Sequence, residues 1–370
     1  MKIPLGNLVS IKKGKKPTTT LSTSTESSFP LILTPNLRGL PYTEYCQEFS
    51  GQVIAKPQDI LISWDGSVGR TGFGLEGCVG STLARISVND EETTHPEYLW
   101  CFLRSMETLI RKNSKGASIP HVDPTYLSRI LVPLPDLGTQ KEIAATFRAL
   151  NDLDVKNGKQ TKLLDEYISA LFDVAFSGDI EETALSNVCN LITDGTHQSP
   201  QWAPSGVPFL FVSNITSGEI DLETSKFVSE SSWQQLFAGK PVELGDILYS
   251  TVGSYGVPAE VRTEAKFAFQ RHIAHLKLDK AKVNPTFMTE QMRTPAIKRQ
   301  ADKEVRGAAQ PTLNLSAIRK FQVKVPSLSA QEAFASQVDV VRNLRLKTAY
   351  LAQLLHDAKQ VLEFQYFGRS

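Results

Sequence analysis

The chain has 370 residues, 41% of them hydrophobic and 21% charged, and 40 Lys and Arg against 39 Asp and Glu leave a net charge of +1. That length can bury two or three separate cores, whereas the charge excludes a protein that meets nucleic acid through a global positive field; only local basic patches remain open. Cys46, Cys78, Cys101 and Cys189 form no CxxC pair and no histidine stands at ligand spacing, so the expectation is buried thiols in a cytoplasmic protein with no metal site. No run approaches the ~18 apolar residues of a membrane span, and MKIPLGNLVSIKKGKKP carries no apolar signal core.

In chain order, IPLGNLVSI (3–11) alternates loosely and runs into a basic turn, KKGKKP, and a Ser/Thr-rich loop through Ser28. FPLILT and QVIAKPQDILISW are apolar runs of strand length, and the second ends in DGSVGRTGFGLEG, whose glycines predict a tight hairpin between strands. VGSTLARISV (79–88) alternates like a strand. Pro96 opens a predicted helix, PEYLWCFLRSMETLIRK, with Tyr98, Phe102, Met106 and Leu109 at helical spacing. The turn KGASIPHVDP then leads through YLSRILVPLP into a long helical pattern.

The same grammar returns. Lys115-Gly116 aligns with Arg306-Gly307 and Phe176 with Phe367 without a gap, a constant offset of 306 − 115 = 191. TALSNVCNLITDGTHQSP corresponds to IPLGNLVSIKKGKKPT, LGDILYSTVGSYG to KPQDILISWDGSVG (Asp246 with Asp59), AFQRHIAHLKL to STLARISV, and NPTFMTEQMRTPAIKRQ to the helix from Pro96. An internal repeat of this length reads as a duplicated domain. The expected fold is α+β, with two globular domains (1–138 and 179–328), each followed by a long helix (139–178 and 329–370).

Both helical tails carry an apolar seam. In the second, Leu344, Thr348, Leu351, Leu355, Ala358 and Leu362 step by 4,3,4,3,4, suited to a partner helix. In the first, Ile143, Phe147 and Leu150 begin a seam that Leu164, Tyr167 and Leu171 finish. The polar stretch NDLDVKNGKQTK lies between, and its Asn157-Gly158 pair could break the helix, since glycine costs about 1 kcal/mol there. The uninterrupted second copy favours a helix that continues or bends slightly.

No catalytic constellation is present. The chain lacks a Walker A loop, a GxSxG elbow and HExxH, and its glycine cluster, Gly66 to Gly74, lacks the GxGxxG order before a long helix. The acidic-or-Asn-Pro-Pro-aromatic motif of a DNA amino-methyltransferase is absent too. Thr193-Asp194-Gly195-Thr196-His197 could be an Asp/His pair, but no nucleophile or second base accompanies it, which leaves a DNA-facing or structural histidine on a turn.

Residues 1–41 hold six basic residues against one acid, and residues 298–324 seven against two. Lys12, Lys13, Lys15 and Lys16 around Gly14 suit phosphate contact, which sets affinity and position without reading sequence; a solvated turn is the bland alternative. Arg38, Arg70, Arg271, His272 and Gln310 are candidates for base edges, since Arg and Gln can grip purines bidentately. Trp202 and Tyr255 lie at turns where an aromatic could stack or wedge, while core packing is the default for Trp64. Ser67, Lys115, His197, Gln198 and Arg306 complete the candidate set of polar turn residues.

TDGTHQSPQWAPSGVPFLFVSNI, then GDILYSTVGSYG and FQRHIAHLKL, resemble a target-recognition domain of a type I restriction-modification specificity subunit. VPLPDLGTQKEIAATF and VKVPSLSAQEAFASQV resemble the family's strand-to-helix junctions, keeping only the glutamine of the usual Glu-Gln. The first half has KKGKKP where the second has TDGTHQSP, so no DNA role carries over from His197. The resemblance implies a non-catalytic reader of double-stranded DNA, each domain recognising one part of an asymmetric bipartite target. It also implies two helices paired antiparallel in a pseudo-two-fold arrangement, spacing the readers and docking two methyltransferase subunits. S-adenosylmethionine would belong to those subunits, and a motor-nuclease subunit would add cleavage. The alternatives are a self-contained modification enzyme, against which the missing motifs count, and a scaffold without sequence readout.

Overall fold

A strand buried on both faces reads as an unbroken apolar run; ILIS at Ile60–Ser63 and ILYS at Ile247–Ser250 are two such runs, buried at every position. Each is the middle of a sheet in one of two compact units of the computed structural model: Met1–Gly158 with Tyr350–Ser370, and Lys159–Ala349. The structure describes all residues except 48–50, 117, 238, 307–309 and 369–370.

In unit 1, strands β1 (Val9–Lys13), β2 (Ile60–Ser63), β3 (Thr71–Phe73) and β4 (Leu83–Val88) form an antiparallel sheet in the order β1-β4-β2-β3. Side chains alternate across a strand, so Ile60 and Ile62 enter one core with Tyr98, Leu99 and Phe102 of helix α1 (Pro96–Ser105), while Leu61 enters another with Ile32, Leu37 and Val79. A second sheet orders Tyr45–Gln47, Ser28–Ile32, Gly77–Val79 and Ile54–Ala55, its middle pair parallel. Lys2–Pro4 pairs with Leu131–Pro133, so the unit closes on itself before the chain leaves into helix α2 (Leu137–Ala175).

Unit 2 repeats the scheme. Strands β5 (Cys189–Asp194), β6 (Ile247–Ser250), β7 (Pro258–Glu260) and β8 (Ile273–Leu278) take the equivalent order β5-β8-β6-β7, and Ile247 and Tyr249 face one core while Leu248 faces another. Helix α3 (Pro285–Arg293) stands where α1 stands, and Glu182–Ala184 pairs with Gln322–Lys324 before helix α4 (Leu328–Phe367). Asp59 and Asp246 take matching positions before the central strands. Asp59 accepts from the Lys56 N–H and Ser87 Oγ at 2.8 and 2.5 Å, and Asp246 from the Glu243 N–H and His275 Nε2 at 2.9 and 2.7 Å.

Three local expectations change. IPLGNLVSI is not one strand: Leu5–Leu8 forms a helical turn that drops Leu5 and Leu8 into the core. The segment from Pro96 is two helices, ending at Ser105 and resuming over Glu107–Lys112, because the Glu107 carboxylate is taken by the Thr71 N–H and hydroxyl, both at 2.9 Å. In the second copy Pro295 imposes the same break.

The junction glutamines explain why each long helix starts where it does. Gln140, fully buried, accepts from the His95 N–H at 2.8 Å and donates to the carbonyls of Thr93 and Pro135, both at 2.9 Å. Gln331 does the same with the Asn284 N–H (2.7 Å) and the carbonyls of Lys282 and Pro326 (3.2 and 2.8 Å). One amide thus ties the start of the long helix to the loop that starts α1 or α3.

Helix α2 is unbroken through Asn157-Gly158, and Asn157 is buried rather than splayed out. In unit 1, Phe147 stacks on Phe367 at 5.7 Å and Asp154 bonds Lys359 at 2.7 Å. In unit 2, Thr161 meets Thr348 at 3.2 Å, Asp165 meets Arg345 at 3.2 Å, and Phe172 meets Phe334 at 5.6 Å. Within each unit the two helix segments therefore run antiparallel. The seam needs correction in part: Thr348 and Leu355 are buried, but Leu344 and Leu351 are 37% and 39% exposed, and the covered stripe runs on through buried Val341 and half-buried Arg345 and Lys359. Likewise Ile168 is buried where Tyr167 was expected, Tyr167 being half exposed. Ile143 and Phe147 are buried, and Leu150, Leu164, Leu171 and Leu362 half-buried.

Candidate nucleic-acid interface

In unit 2 three loops converge beyond the end of β5. The turn after Asp194 is held by Gly195, whose N–H bonds the Ile273 carbonyl at 3.1 Å. A Cβ there would lie 2.3 Å from the Phe269 carbonyl oxygen, so only glycine permits this approach. The loop after β6 is pinned to the 311–313 segment, since the Gly253 N–H bonds the Pro311 carbonyl (3.0 Å) and the Leu313 N–H the Thr251 carbonyl (2.8 Å). The Thr251 N–H in turn bonds the His272 carbonyl at 3.0 Å.

An open cleft of about 400 Å³ results, lined by Asp194, His197, Thr251, Arg271, His272, Gln310, Thr312 and Asn314 among others. Four residues singled out from the sequence meet here: His197, Arg271, His272 and Gln310. His197 Nε2 lies 2.7 Å from Asp194 Oδ2, and Arg271 Nε donates to His272 Nε2 at 3.4 Å. Burial, then the charge of Arg271 and the neighbouring His197, hold the His272 imidazole below its ordinary range. Asn314 and Thr251 carry no sequence signal of their own; Asp194 had one, its spacing of three from His197 within a turn.

Gly14 occupies the matching turn in unit 1, its N–H bonded to the Leu83 carbonyl at 2.9 Å, and a Cβ there would lie 2.3 Å from the carbonyl oxygens of Val79 and Gly80. The lining differs in kind. Lys13 bonds Asp65 at 2.7 Å and Lys115 bonds Asp123 at 3.0 Å, so one expected phosphate contact and one further DNA-contact candidate are internal ion pairs. Arg38 is likewise paired with Glu107, which accounts for its charge without a base edge. Lys12, Lys15 and Lys16 are exposed and make no ion pair among the described residues. Ser67 is exposed on the β2–β3 hairpin and Arg70 half-buried at its end.

The remaining candidates lie elsewhere in unit 2. Trp202 is 48% exposed, set edge-on to Phe209 with Lys226 Nζ 5.8 Å from its ring. Tyr255 donates to Asp302 at 2.8 Å and carries Lys298 Nζ 3.6 Å from its ring, so it is held in place rather than free to wedge. Gln198 and Arg306 are exposed, the latter bridged through its backbone to Thr312. Trp64 packs against the unit 1 core. No serine or cysteine lines the cleft among the described residues, and burial pushes the thiols of Cys101 and Cys189 up to about 12. Hydrogen-bond donors and acceptors on a rigid, open surface suit recognition of a polar ligand.

Residues 1–165 match the family model of the type I restriction modification DNA specificity domain. The chain is 23% identical to the type I restriction enzyme MjaVIII specificity subunit of Methanocaldococcus jannaschii, over 99% of this chain and 92% of that protein. It is also 23% identical to the type I restriction enzyme EcoBI specificity subunit of Escherichia coli, over 82% of this chain and 70% of that protein. The solved S subunit of a type I restriction-modification system from M. genitalium shares the fold, with a TM-score of 0.65 at 16% identity over 98% of this chain and 94% of that one. With two units of one strand order, two glutamine-tied helices and a polar cleft, the chain is similar over nearly its whole length to type I restriction-modification specificity subunits and shares their fold.

Proposed function

We propose that the protein reads a bipartite DNA target, one part per unit, and that its own residues perform recognition while other chains perform chemistry. The observation that carries this reading is the unit 2 cleft, which gathers Arg271, His272, His197 and Gln310 from three loops onto one accessible surface. Such groups form the donor and acceptor sets that distinguish base pairs in the major groove. Lys12, Lys15 and Lys16 supply phosphate contacts on unit 1. The different linings of the two units make the target asymmetric.

The long helices act in this reading as spacer and docking surface for two modification subunits, which bring S-adenosylmethionine and methylate adenine; a motor-nuclease subunit adds cleavage. Support for docking comes from apolar side chains that the chain leaves exposed along α4, among them Leu346, Tyr350, Leu354, Val361 and Phe364. Large apolar groups exposed together mark contact surfaces. The reading is tested by assembling the chain with its modification subunits and selecting bound duplexes from a random pool. A split motif is expected, and Lys12, Lys15 and Lys16 together changed to Ala should lower affinity for every sequence and reduce the salt slope. Binding without any selected bases would leave only a scaffold.

A further inference from the structure

His197 stands on a turn with little freedom. Asp194 is the last residue of β5 in register with β8, opposite Ala274, and Gly195 is locked by the backbone approach at Phe269. Thr196 Oγ1 donates to the Gln198 carbonyl (3.0 Å) and accepts from the Gln198 N–H (3.1 Å), while Lys240 Nζ donates to the Asp194 carbonyl (2.9 Å). A side chain on such a support keeps one geometry, which base discrimination requires.

Asp194 Oδ2 lies 2.7 Å from His197 Nε2. An ionised carboxylate only accepts, and a neutral imidazole has a single N–H, so the proton stays on Nε2 and Nδ1 becomes an acceptor. Nδ1 makes no hydrogen bond among the described residues, and the side chain is 62% exposed. Arg271 brings only donors to the same cleft; His197 adds the acceptor it lacks.

Resting on the DNA-reading proposed above, we infer that Asp194 is a positioning residue that fixes the tautomer of His197, so that His197 Nδ1 selects a base with an exocyclic amino group, adenine or cytosine, at one position of the part read by unit 2. Guanine and thymine present oxygen acceptors to the major groove, which would meet Nδ1 lone pair to lone pair. Among the described residues, the matching turn of unit 1 has no such device. There Lys13, opposite Ala84 as Asp194 is opposite Ala274, and Lys16 occupy the two positions, and lysine only donates.

The test uses the complex with its modification subunits and duplexes randomised across the selected target, at two salt concentrations. In the wild type, one position of one part favours adenine or cytosine over guanine or thymine by roughly tenfold. Asp194→Asn, whose amide can donate to or accept from Nε2, brings that preference below about threefold and leaves other positions and the salt slope unchanged. His197→Ala removes the preference at the same position, and Asp194→Glu restores part of it. An unchanged preference in both Asp194→Asn and His197→Ala overturns the inference, as does an equal loss for all sequences, which would mark a merely structural pair. If the wild type selects no bases in either part, the DNA-reading itself fails, which is a distinct result.

Discussion

Phe367 anchors the end of α4 in unit 1, and changing it to alanine should nearly unfold that unit. The ring is 6% exposed and sits 5.5 Å from Phe102, 5.7 Å from Phe147 and 5.9 Å from Tyr98. A buried Phe→Ala change costs about 3–5 kcal/mol in transfer and cavity terms, and aromatic pairs add about 0.5–1.5 kcal/mol beyond area. The upper part of that range, about 4–5 kcal/mol, is comparable with the whole stability of many domains, about 5–15 kcal/mol. Urea denaturation read by hydrogen exchange at the α1 amides should show a midpoint lower by about 2 M, for a slope near 2 kcal/mol per M. Phe364, three residues earlier and 59% exposed, is the control; its alanine variant should stay within about 0.5 kcal/mol of wild type. Equal midpoints for the two variants would refute the assignment of Phe367 to the unit 1 core.

Gln331→Ala removes three hydrogen bonds at a buried junction and should cost about 1–3 kcal/mol, Gln140→Ala a similar amount, read as thermal shifts; a neutral Gln331→Ala would show that the amide does not tie α4 to the loop before α3. Leu351→Asp should leave stability within about 1 kcal/mol of wild type while weakening assembly with the modification subunit in size-exclusion runs. Leu355→Asp should destabilise severely, and similar melting of the two variants would restore the seam through Leu351. His95 is held below its ordinary 6.5 chiefly by burial, and its Nδ1 is buried with no hydrogen-bond partner among the described residues. A depressed imidazole means the unfolded chain binds more protons, so its contribution is present above that ordinary value and lost as pH falls. The stability difference between wild type and His95→Asn should therefore shift against wild type from pH 7.5 to 5.5; a pH-independent difference would remove His95 as the cause.

The repeat, the order of elements along the chain and the two long helices were legible because each is written locally. Central strands announce themselves as ILIS and ILYS, the turns need Gly14 and Gly195, and the junctions keep Gln140 and Gln331. The site was legible only as a scatter of residue types. Nothing near Lys13 or Arg38 in the sequence names Asp65 or Glu107, the carboxylates that take up their charge. Nothing joins His197 to Gln310, more than a hundred positions away, until the strands close.

By itself the sequence determined that a domain was duplicated and that each copy leads into a helix, since periodicity and turn chemistry act over a few residues. Only the tertiary structure decided which stripe of each helix is buried. A 3,4 stepping fits two neighbouring stripes on a helix, and contacts with the facing segment chose Arg345 and Lys359 over Leu344 and Leu351. Tertiary structure also decided which polar residues share a surface, because hydrogen bonds between distant loops, and not spacing along the chain, bring Arg271, His272, His197 and Gln310 to one cleft.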